Sequence, residues 1–414
     1  GKRLDLKPIP DISVERGVGL SQERTYFLCA DPTKKFVFRQ RSWRDTIQSV
    51  DWTFTNNAST ATLNQTNLSL TSDVTNTFGN PGWVDVTLKA TGNNTGDSTI
   101  EFKEVVYAAD GANRIDPMNG FFMEFGKEDA ANPLDKWPIF NYYNNGNKWR
   151  FDDNCGYYDK SCIVYAGFDK RKAPEAYSGT PKGDFDDFFT PAFNLSNMTT
   201  TECRLNFLSS GAFRVSDNRL MRDTLQISYS LDCGETWQTL TSLTKKEIAN
   251  KGVVAVEYAP LYFGDWELKS YDIPMSARKD KVFFRFRFKP GVDDINFGAS
   301  FTLPGTGNNF YIDRINISPY KLGVNTLLNE DKNIALAPNP TTGSSQIVIR
   351  SAAKGNAQVQ VTDITGKVVY TTQEQMNGDI TTIEIPAAVI KVKGVYMVHV
   401  LAGDQKYSEK LVSY

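Results

Sequence analysis

The chain has 414 residues, with 46 lysines and arginines, 48 acidic residues, one histidine and five cysteines. At about 150 residues per domain this length makes two or three domains, each able to bury an ordinary core. A net charge of −2 and a pI near 5.8 argue against a nucleic-acid or membrane-surface partner, which needs a concentrated positive face, while 23% charged and 12% aromatic residues mark a folded chain.

The single histidine excludes more. A zinc site of the H-E-x-x-H type needs two imidazoles, and a Ser-His or Cys-His site needs one beside its nucleophile. His399 lies in Gly394–Val400, which reads as a strand with no Ser or Cys motif around it. It is expected on a sheet face. No run of about 18 apolar residues predicts a membrane span. The lone Gly1 before Lys2 has the look of a cleavage scar, so the native start is expected upstream.

Strand signals dominate from end to end. Short runs rich in Val, Ile, Thr, Phe and Tyr alternate and are broken by Gly, Asn, Asp and Pro. Residues 85–90, 225–229, 282–288 and 358–362 are examples. In 282–288 the pattern sets Phe284, Phe286 and Phe288 on one face and Arg285 and Arg287 on the other, a half-buried antiparallel strand. Thr244–Lys251 predicts one short helix. The fold class is therefore all-β, built as sandwiches. Composition divides the chain into a leading segment (1–28), a Thr/Asn-rich immunoglobulin-like module (29–110), an aromatic-rich body (111–320), a linker (321–333) and a compact C-terminal sandwich (334–414).

The cysteines read as structural. Cys155 and Cys162 flank a tight segment, and Cys203 and Cys233 each sit beside a strand. Disulfides Cys155–Cys162 and Cys203–Cys233 fit an exported domain, although spacing alone does not fix the pairing. Cys29 is then left over and is expected to pair with a cysteine upstream. The absence of C-x-x-C pairs argues against zinc.

The C-terminus carries the strongest motif set. Ala337-Pro338-Asn339-Pro340-Thr341-Thr342-Gly343, then Val361–Val369 with its Asp363-Ile364-Thr365-Gly366-Lys367 turn, then Lys393–Val400, and a closing Lys410–Tyr414 follow in order. This series resembles the C-terminal sorting domain of the type IX secretion system of Bacteroidetes. The resemblance implies export across the outer membrane by that machinery and a secreted or cell-surface location. Val50-Asp51-Trp52-Thr53-Phe54 and Asn80–Ala90 resemble the W-D-F and P-G-x-Y-x-V-x-L strands of a PKD domain, with Trp52 as its core anchor.

Residues 115–320 resemble the MAM-like or cleaved-adhesin jelly rolls of secreted Bacteroidetes proteins. The match rests on Asn119–Phe125, Phe189–Ser196 and Asn309–Ile317, with Trp149 at a position where they often carry tryptophan. In these folds an early Glu and a closing Asp bind structural calcium. The resemblance places that role on Glu124 and Asp313; Asp152, Asp153, Asp186 and Asp187 are looser candidates. Arg314 departs from the pattern, standing where the family has a second Asp. Ser230-Leu231-Asp232-Cys233-Gly234-Glu235-Thr236-Trp237 resembles an Asp-box hairpin, in which Asp232 caps the turn, Gly234 takes positive φ and Trp237 packs beneath.

The module order resembles the C-terminal half of secreted pappalysin-like zinc metalloproteases, whose catalytic domain would precede this chain. No zinc motif is present, so no catalytic residue carries over. The aromatic stretch Trp137, Phe140, Tyr142, Tyr143, Trp149, Phe151, Tyr157 and Tyr158 suggests stacking on sugar rings or anchoring of a protein contact, with burial under a loop as the alternative. Asp265-Trp266-Glu267 places two carboxylates on one strand face, but no glycosidase nucleophile motif accompanies them. The expectation is a non-catalytic accessory and export region that contacts a host protein or glycan, with a free-standing surface adhesin as the alternative.

Overall fold

A computed structural model describes residues 6–16, 26–31, 33–66, 73–111, 120–126, 134–143, 146–157, 161–168, 184–198, 203–214, 221–261, 265–291, 295–296, 302–303, 307–318, 334–337, 339, 341, 343–350, 354–377 and 380–413. Among them there is no α-helix. The predicted helix at 244–251 is a single 3-10 turn, Lys245–Glu247, closed by a capping box between Thr244 and Glu247. The chain forms two compact units, residues 1–201 with 207–315, and residues 202–206 with 316–414.

The immunoglobulin-like part of the first unit contains β1 (Ile12–Arg16), β2 (Phe27–Cys29), β3 (Phe36–Gln40), β4 (Ile47–Phe54), β5 (Thr62–Gln65), β6 (Asp73–Asn76), β7 (Gly82–Gly92) and β8 (Gly96–Ala109). Two sheets, β1-β3-β6 and β2-β8-β7-β4-β5, face each other. Alternation along β7 and β4 sends Val84, Val86, Leu88 and Ala90 inward against Val50, Trp52 and Phe54. Trp52 is 1% exposed, and its indole N–H donates to Gln65 Oε1 at 2.8 Å. The segment expected to lead into this module is thus part of it. β1 pairs antiparallel with β3, and β2 pairs parallel with β8.

The jelly-roll part contains β9 (Phe121–Met123), β10 (Ile139–Asn141), β11 (Trp149–Asp152), β12 (Cys162–Tyr165), β13 (Asp186–Phe189), β14 (Arg204–Gly211), β15 (Thr224–Ser230), β16 (Gln238–Thr244), β17 (Glu267–Asp272), β18 (Phe283–Lys289), β19 (Ile295–Asn296), β20 (Thr302–Leu303) and β21 (Phe310–Ser318). Its five-stranded sheet runs β10-β13-β18-β15-β16. The facing sheet runs β11-β12-β21-β14-β17, with β9 added beside β21. Between them Phe188 and Phe288 meet Trp149, Tyr165 and Phe310 in ring contacts 4.2–5.9 Å apart, and Phe286 packs on Phe188 and, across the layers, on Phe207.

β18 is not half-buried. Arg285 and Arg287 are each only 2% exposed, because the outer face of this sheet is covered too. The cover is a seam with the immunoglobulin-like module. Phe27 of β2 stacks on Phe189 at 4.4 Å and meets Phe283 edge-on at 5.1 Å, while Trp83 packs on Phe140 at 4.8 Å. On the polar side, Arg287 makes a two-pronged ion pair with Asp187 (2.8 and 2.8 Å) and lies over the Phe185 ring, and Arg285 lies over Trp237.

The Asp-box hairpin builds the other half of the seam. Asp232 Oδ1 accepts the Thr236 N–H at 2.9 Å, and Ser230 Oγ accepts the Gly234 N–H at 2.7 Å. Gly234 has φ +82°, and a Cβ there would meet Phe27 at 2.9 Å. The turn therefore needs glycine both for its backbone and to admit Phe27. It also carries Cys233 to Cys29. The disulfides are Cys29–Cys233 and Cys155–Cys162, and Cys203 is buried and belongs to neither. The expected Cys203–Cys233 pair is overturned, as is the upstream partner for Cys29. Cys233 is turned toward the seam, whereas Cys203 is buried within its own sandwich.

The second unit contains β22 (Ile334–Ala337), β23 (Ser345–Arg350), β24 (Lys354–Asp363), β25 (Val368–Asn377), β26 (Ile380–Ile385), β27 (Gly394–Ala402) and β28 (Gln405–Ser413). Sheets β22-β23-β26 and β25-β24-β27-β28 enclose a core of Ile347, Ile349, Val359, Val361, Ile385, Val398, Val400 and Leu411. Asn339 holds the last strand, donating to the Lys410 carbonyl at 2.6 Å and accepting the Val412 N–H at 2.9 Å. His399 is half-buried on β27, its Nδ1 2.8 Å from Ser408 Oγ on β28.

Two outcomes test the seam. Non-reducing peptide mapping is expected to recover a Cys29–Cys233 linked peptide and an unlinked Cys203. Removing that disulfide as Cys29→Ser/Cys233→Ser is expected to cost about 2–5 kcal/mol in chemical denaturation, and Phe27→Ala a further ~3 kcal/mol or more.

Candidate functional site

The structure sends most of the aromatic stretch inward. Trp137 is fully buried against Phe121 and Phe125, and Trp149 is 1% exposed, its indole N–H donating to the Asp186 carbonyl at 3.2 Å. Neither is a contact surface, because each ring fills the space between layers and no smaller residue would. Tyr142 is half-buried in the seam, its hydroxyl donating to Asp187 Oδ2 at 2.9 Å and its ring edge on Tyr26 at 5.8 Å. Burial, with the Asp187 charge added, holds that hydroxyl well above the usual tyrosine range. Tyr143 is half-buried beside Phe185, and Tyr158 lies outside the described residues.

The carboxylates expected to hold calcium are not gathered. Among the described residues no three His, Cys, Asp or Glu side chains come close enough together to hold a metal ion. Asp187 is committed to Arg287 in the seam. Asp152 accepts the Asn154 N–H at 3.0 Å and pairs with Arg150 at 3.1 Å, and Asp153 is exposed. Asp313 accepts two backbone N–H groups, those of Tyr157 and Arg314, both at 2.6 Å. Glu124 faces a cation of the chain's own. Arg314, 1% exposed, sets Nη2 2.9 Å from Glu124 Oε1, with its guanidinium over the rings of Phe122 and Tyr157. These residues do not fit calcium, because a guanidinium stands against the carboxylate that would ligate it.

Asp186 is buried differently. Its Oδ1 accepts the Tyr142 N–H at 3.2 Å, its Oδ2 has no hydrogen-bond partner, and the residue is fully buried beside the fully covered Asp184. Burial, then the neighbouring charges of Asp184 and Asp187, push its carboxyl up to about 8. It is therefore protonated at neutral pH.

The opposite, outer face of the β11-β12-β21-β14-β17 sheet carries a feature that the sequence reading passed over. Residues 252–261 and 265–266 lie across it as a pinned loop. Asn308 Nδ2 donates to the carbonyls of Val254 and Val256 (2.9 and 2.7 Å), Asn308 Oδ1 accepts the Tyr258 N–H at 2.9 Å, and Tyr311 donates its hydroxyl to the Tyr258 carbonyl at 2.7 Å. Ser210 donates to the Asp265 carbonyl at 2.8 Å and lies 2.6 Å from the Tyr258 hydroxyl, whose ionisation burial pushes up to about 12. Beneath the loop Cys155, Cys162, Val164, Ala212, Tyr258 and Tyr311 form one apolar cluster, with Val254 and Trp266 packed on it. Trp266 meets the ring of Tyr157, at the disulfide-closed Cys155–Cys162 segment, edge-on at 6.5 Å.

What this platform presents is apolar. Val253, Val256 and Leu261 are 51%, 70% and 77% exposed, and Trp266 and Tyr157 are half-buried between them and the sheet. The two carboxylates once compared with a glycosidase pair are engaged. Asp265 pairs with Lys251 at 2.7 Å and accepts the Leu261 N–H at 2.8 Å, and Glu267 pairs with Lys269 at 2.9 Å. The signal in the sequence was Trp266, which stood between them. Residues 252–261, an apolar run broken by Pro260, give no sign in sequence that they lie over a sheet face.

Comparison with known proteins bears on the second unit. Residues 335–414 match the family model described as "Secretion system C-terminal sorting domain". The chain ends in a type IX sorting domain. That tail marks an exported protein. No curated protein matches the chain. Among solved structures it is similar to a carbohydrate-binding module of the β-sandwich superfamily, at 14% identity over 76% of this chain and 99% of that one, with TM-score 0.22. A β-glucuronidase from Ruminococcus gnavus matches at 12% identity over 55% of this chain and 36% of its own, with TM-score 0.19. At these values neither likeness speaks to ligand or reaction. No helix among the described residues is long and apolar enough to cross a membrane.

The protonated Asp186 makes stability pH-dependent. Its folded-state value lies above the ordinary 3.8, so the native state holds a proton that the unfolded chain releases. Stability from this group is full below about pH 4, falls as pH rises toward about 8, and is then level. Asp186→Asn is expected to flatten that decline and to exceed the parent chain in urea midpoint at pH 9.

Proposed function

We propose that this chain is the non-catalytic contact and export region of an exported cell-surface protein. In this reading the first unit binds a protein surface through the pinned loop over the jelly roll, and the second unit directs export. The observation that supports the contact role is the loop of residues 252–261. Side-chain amides and a tyrosine hydroxyl fix its backbone to the sheet, yet it turns Val253, Val256 and Leu261 to solvent. A fixed loop with exposed aliphatic side chains spends little ordering entropy on binding, which is how rigid contact surfaces gain affinity. Tyr157 and Trp266 supply aromatic area behind it, the residue types that anchor protein contacts.

A glycan is the second reading, favoured by the same half-buried Tyr157 and Trp266, since sugar faces stack on aromatic rings. The exposed aliphatic side chains favour a protein. A secreted zinc metalloprotease as the parent protein rests on the order of modules alone, because Cys29 is satisfied within this chain. The absence of catalysis is supported by His399 bonded to Ser408 on an open sheet and by the lysine partners of Asp265 and Glu267. Calcium is proposed to be dispensable, Arg314 supplying the positive charge beside Glu124.

Four observations check this. Val256→Ser/Leu261→Ser is expected to weaken binding to extracellular-matrix or host-cell surface protein about tenfold or more, with the melting temperature unchanged. Trp266→Ala is expected to lower glycan-array signal only if the second reading is right. Melting curves in calcium and in EDTA are expected to coincide, whereas a stabilisation by calcium would show an ion bound to the folded state. An H-E-x-x-H domain encoded upstream would establish the protease parent, and a signal peptide directly upstream of Lys2 would exclude it.

A further inference from the structure

We propose that one end of the C-terminal sandwich, formed by the Asp363–Val368 turn and the Lys391–Val395 segment, is a docking surface for an apolar groove with an acidic rim on a protein of the export machinery. The inference rests on the reading of residues 335–414 as a sorting domain and adds to it the surface that is read.

Strand register brings the two segments together. Thr362 pairs with Val368 across the turn, Asp363 pairs with Tyr396, and Gly394 pairs with Ser413. The turn, the entry to β27 and the end of β28 therefore share one end of a four-stranded sheet, although nearly thirty positions separate the first two in sequence.

The fold accounts for part of this end. Asp363 Oδ1 accepts the N–H groups of Thr365 and Lys367 (2.8 and 3.1 Å) and the Thr365 hydroxyl at 2.6 Å, closing the turn. Gly366 and Gly394 sit at φ +83° and +156°, where only glycine is at ease. Tyr396 is buried and donates its hydroxyl to the Val392 carbonyl at 2.7 Å.

The fold does not account for the rest. Ile364 is 84% exposed and Val392 74%, with Val368 at 45% and Val395 at 37%. A single exposed aliphatic residue needs no explanation, but four at one end of so small a domain form a patch. The turn at the opposite end of β27, Gly403-Asp404-Gln405, exposes none.

Charge specifies the partner. Lys367, Lys391 and Lys393 stand exposed among these side chains, and Asp363, the one acid in the two segments, is taken up by its own turn. Aliphatic anchors ringed by cations match an apolar groove with acidic edges. An anionic bilayer fits less well. It would draw only on the charge of these lysines, and among the described residues the patch offers no exposed aromatic ring to seat at an interface.

The test uses the full chain, in a host that exports through this route, and reads the fraction of protein outside the cell. Deleting residues 335–414 is expected to abolish export. Ile364→Ser/Val392→Ser and Lys367→Glu/Lys393→Glu are each expected to lower the exported fraction about tenfold, with melting temperatures within about 2 °C of the parent. Lys406→Glu, on the far part of β28, is expected to export normally. If the deletion abolishes export while both patch variants export like the parent, the docking surface is wrong and the sorting reading stands. If the deletion exports normally, the sorting reading itself fails. Binding of the purified chain to phosphatidylglycerol vesicles, lost in Lys367→Glu/Lys393→Glu, would overturn the protein groove in favour of a lipid headgroup.

Discussion

The contact between Phe27 and the outer face of β13 and β18 governs the first unit. One ring stacks on Phe189, meets Phe283 edge-on and fits only because residue 234 has no Cβ. With this ring in place, a sheet face that would otherwise meet water becomes interior. That burial sets the chemistry around it. Arg287 must be paired, and Asp187 pairs it through two hydrogen bonds. Arg285 must be desolvated without a large penalty, and the face of Trp237 receives it. A buried ion pair adds little stability relative to an apolar pair, but loss of either partner strands a charge. The seam is therefore selective about register. Cys29 reaches Cys233 only in this arrangement, and the disulfide then closes a separation of 204 residues, removing much freedom from the unfolded chain.

The same seam explains what could and could not be read from the sequence. Period-two alternation in 85–90 and 282–288 revealed strands, and their inward faces, because it depends only on neighbours along the chain. What covers the second face depends on a module some 250 residues away. Phe284, Phe286 and Phe288 were assigned to a core correctly, while Arg285 and Arg287 were expected in water and are not. The cysteines follow the same logic. Cys155 and Cys162 are close in sequence and pair as their spacing suggested, whereas the partner of Cys233 was settled by where the Asp-box turn docks. The aromatic stretch misled for a further reason. Composition shows that aromatic residues are crowded together but not which side of a layer they occupy, and Trp137 and Trp149 are large enough to be the filling of the sandwich.

Two carboxylates, the half-buried Glu124 and the buried Asp186, show how one fold solves one problem twice. Glu124 is met by a guanidinium, and the position at which this chain departs from the family pattern, Arg314, is the one that supplies it. Its positive φ of 52° and its place over two aromatic rings hold that charge in a single arrangement. Asp186 has no such cation and keeps a proton instead. A carboxylate that reads in sequence as a metal ligand thus faces a guanidinium of the same chain, which single residues could not reveal without their neighbours. The platform over the other sheet was hidden for a similar reason. The signals that pin it, Asn308 and Asn309, are ordinary loop residues until their amides are seen to bind the backbone of residues 254–258.

In the C-terminal sandwich the motif residues divide by what they do. Asn339, Asp363, Gly366, Gly394 and Tyr396 each close a turn, hold a strand or relieve a backbone strain, and a sandwich of this size needs them merely to be folded. The side chains of Ile364, Lys367, Val392 and Lys393 do none of these things. They are interleaved with the structural residues in the same short segments, so the turns that build the domain also fix the spacing of the exposed groups. A surface assembled this way can be presented only by the folded sheet, because Asp363 and Tyr396 come into register, and so bring Ile364 near Val392, only when β24 and β27 are paired. Recognition of such an end would therefore report on folding as well as on identity, which an extended signal of the same residues could not do.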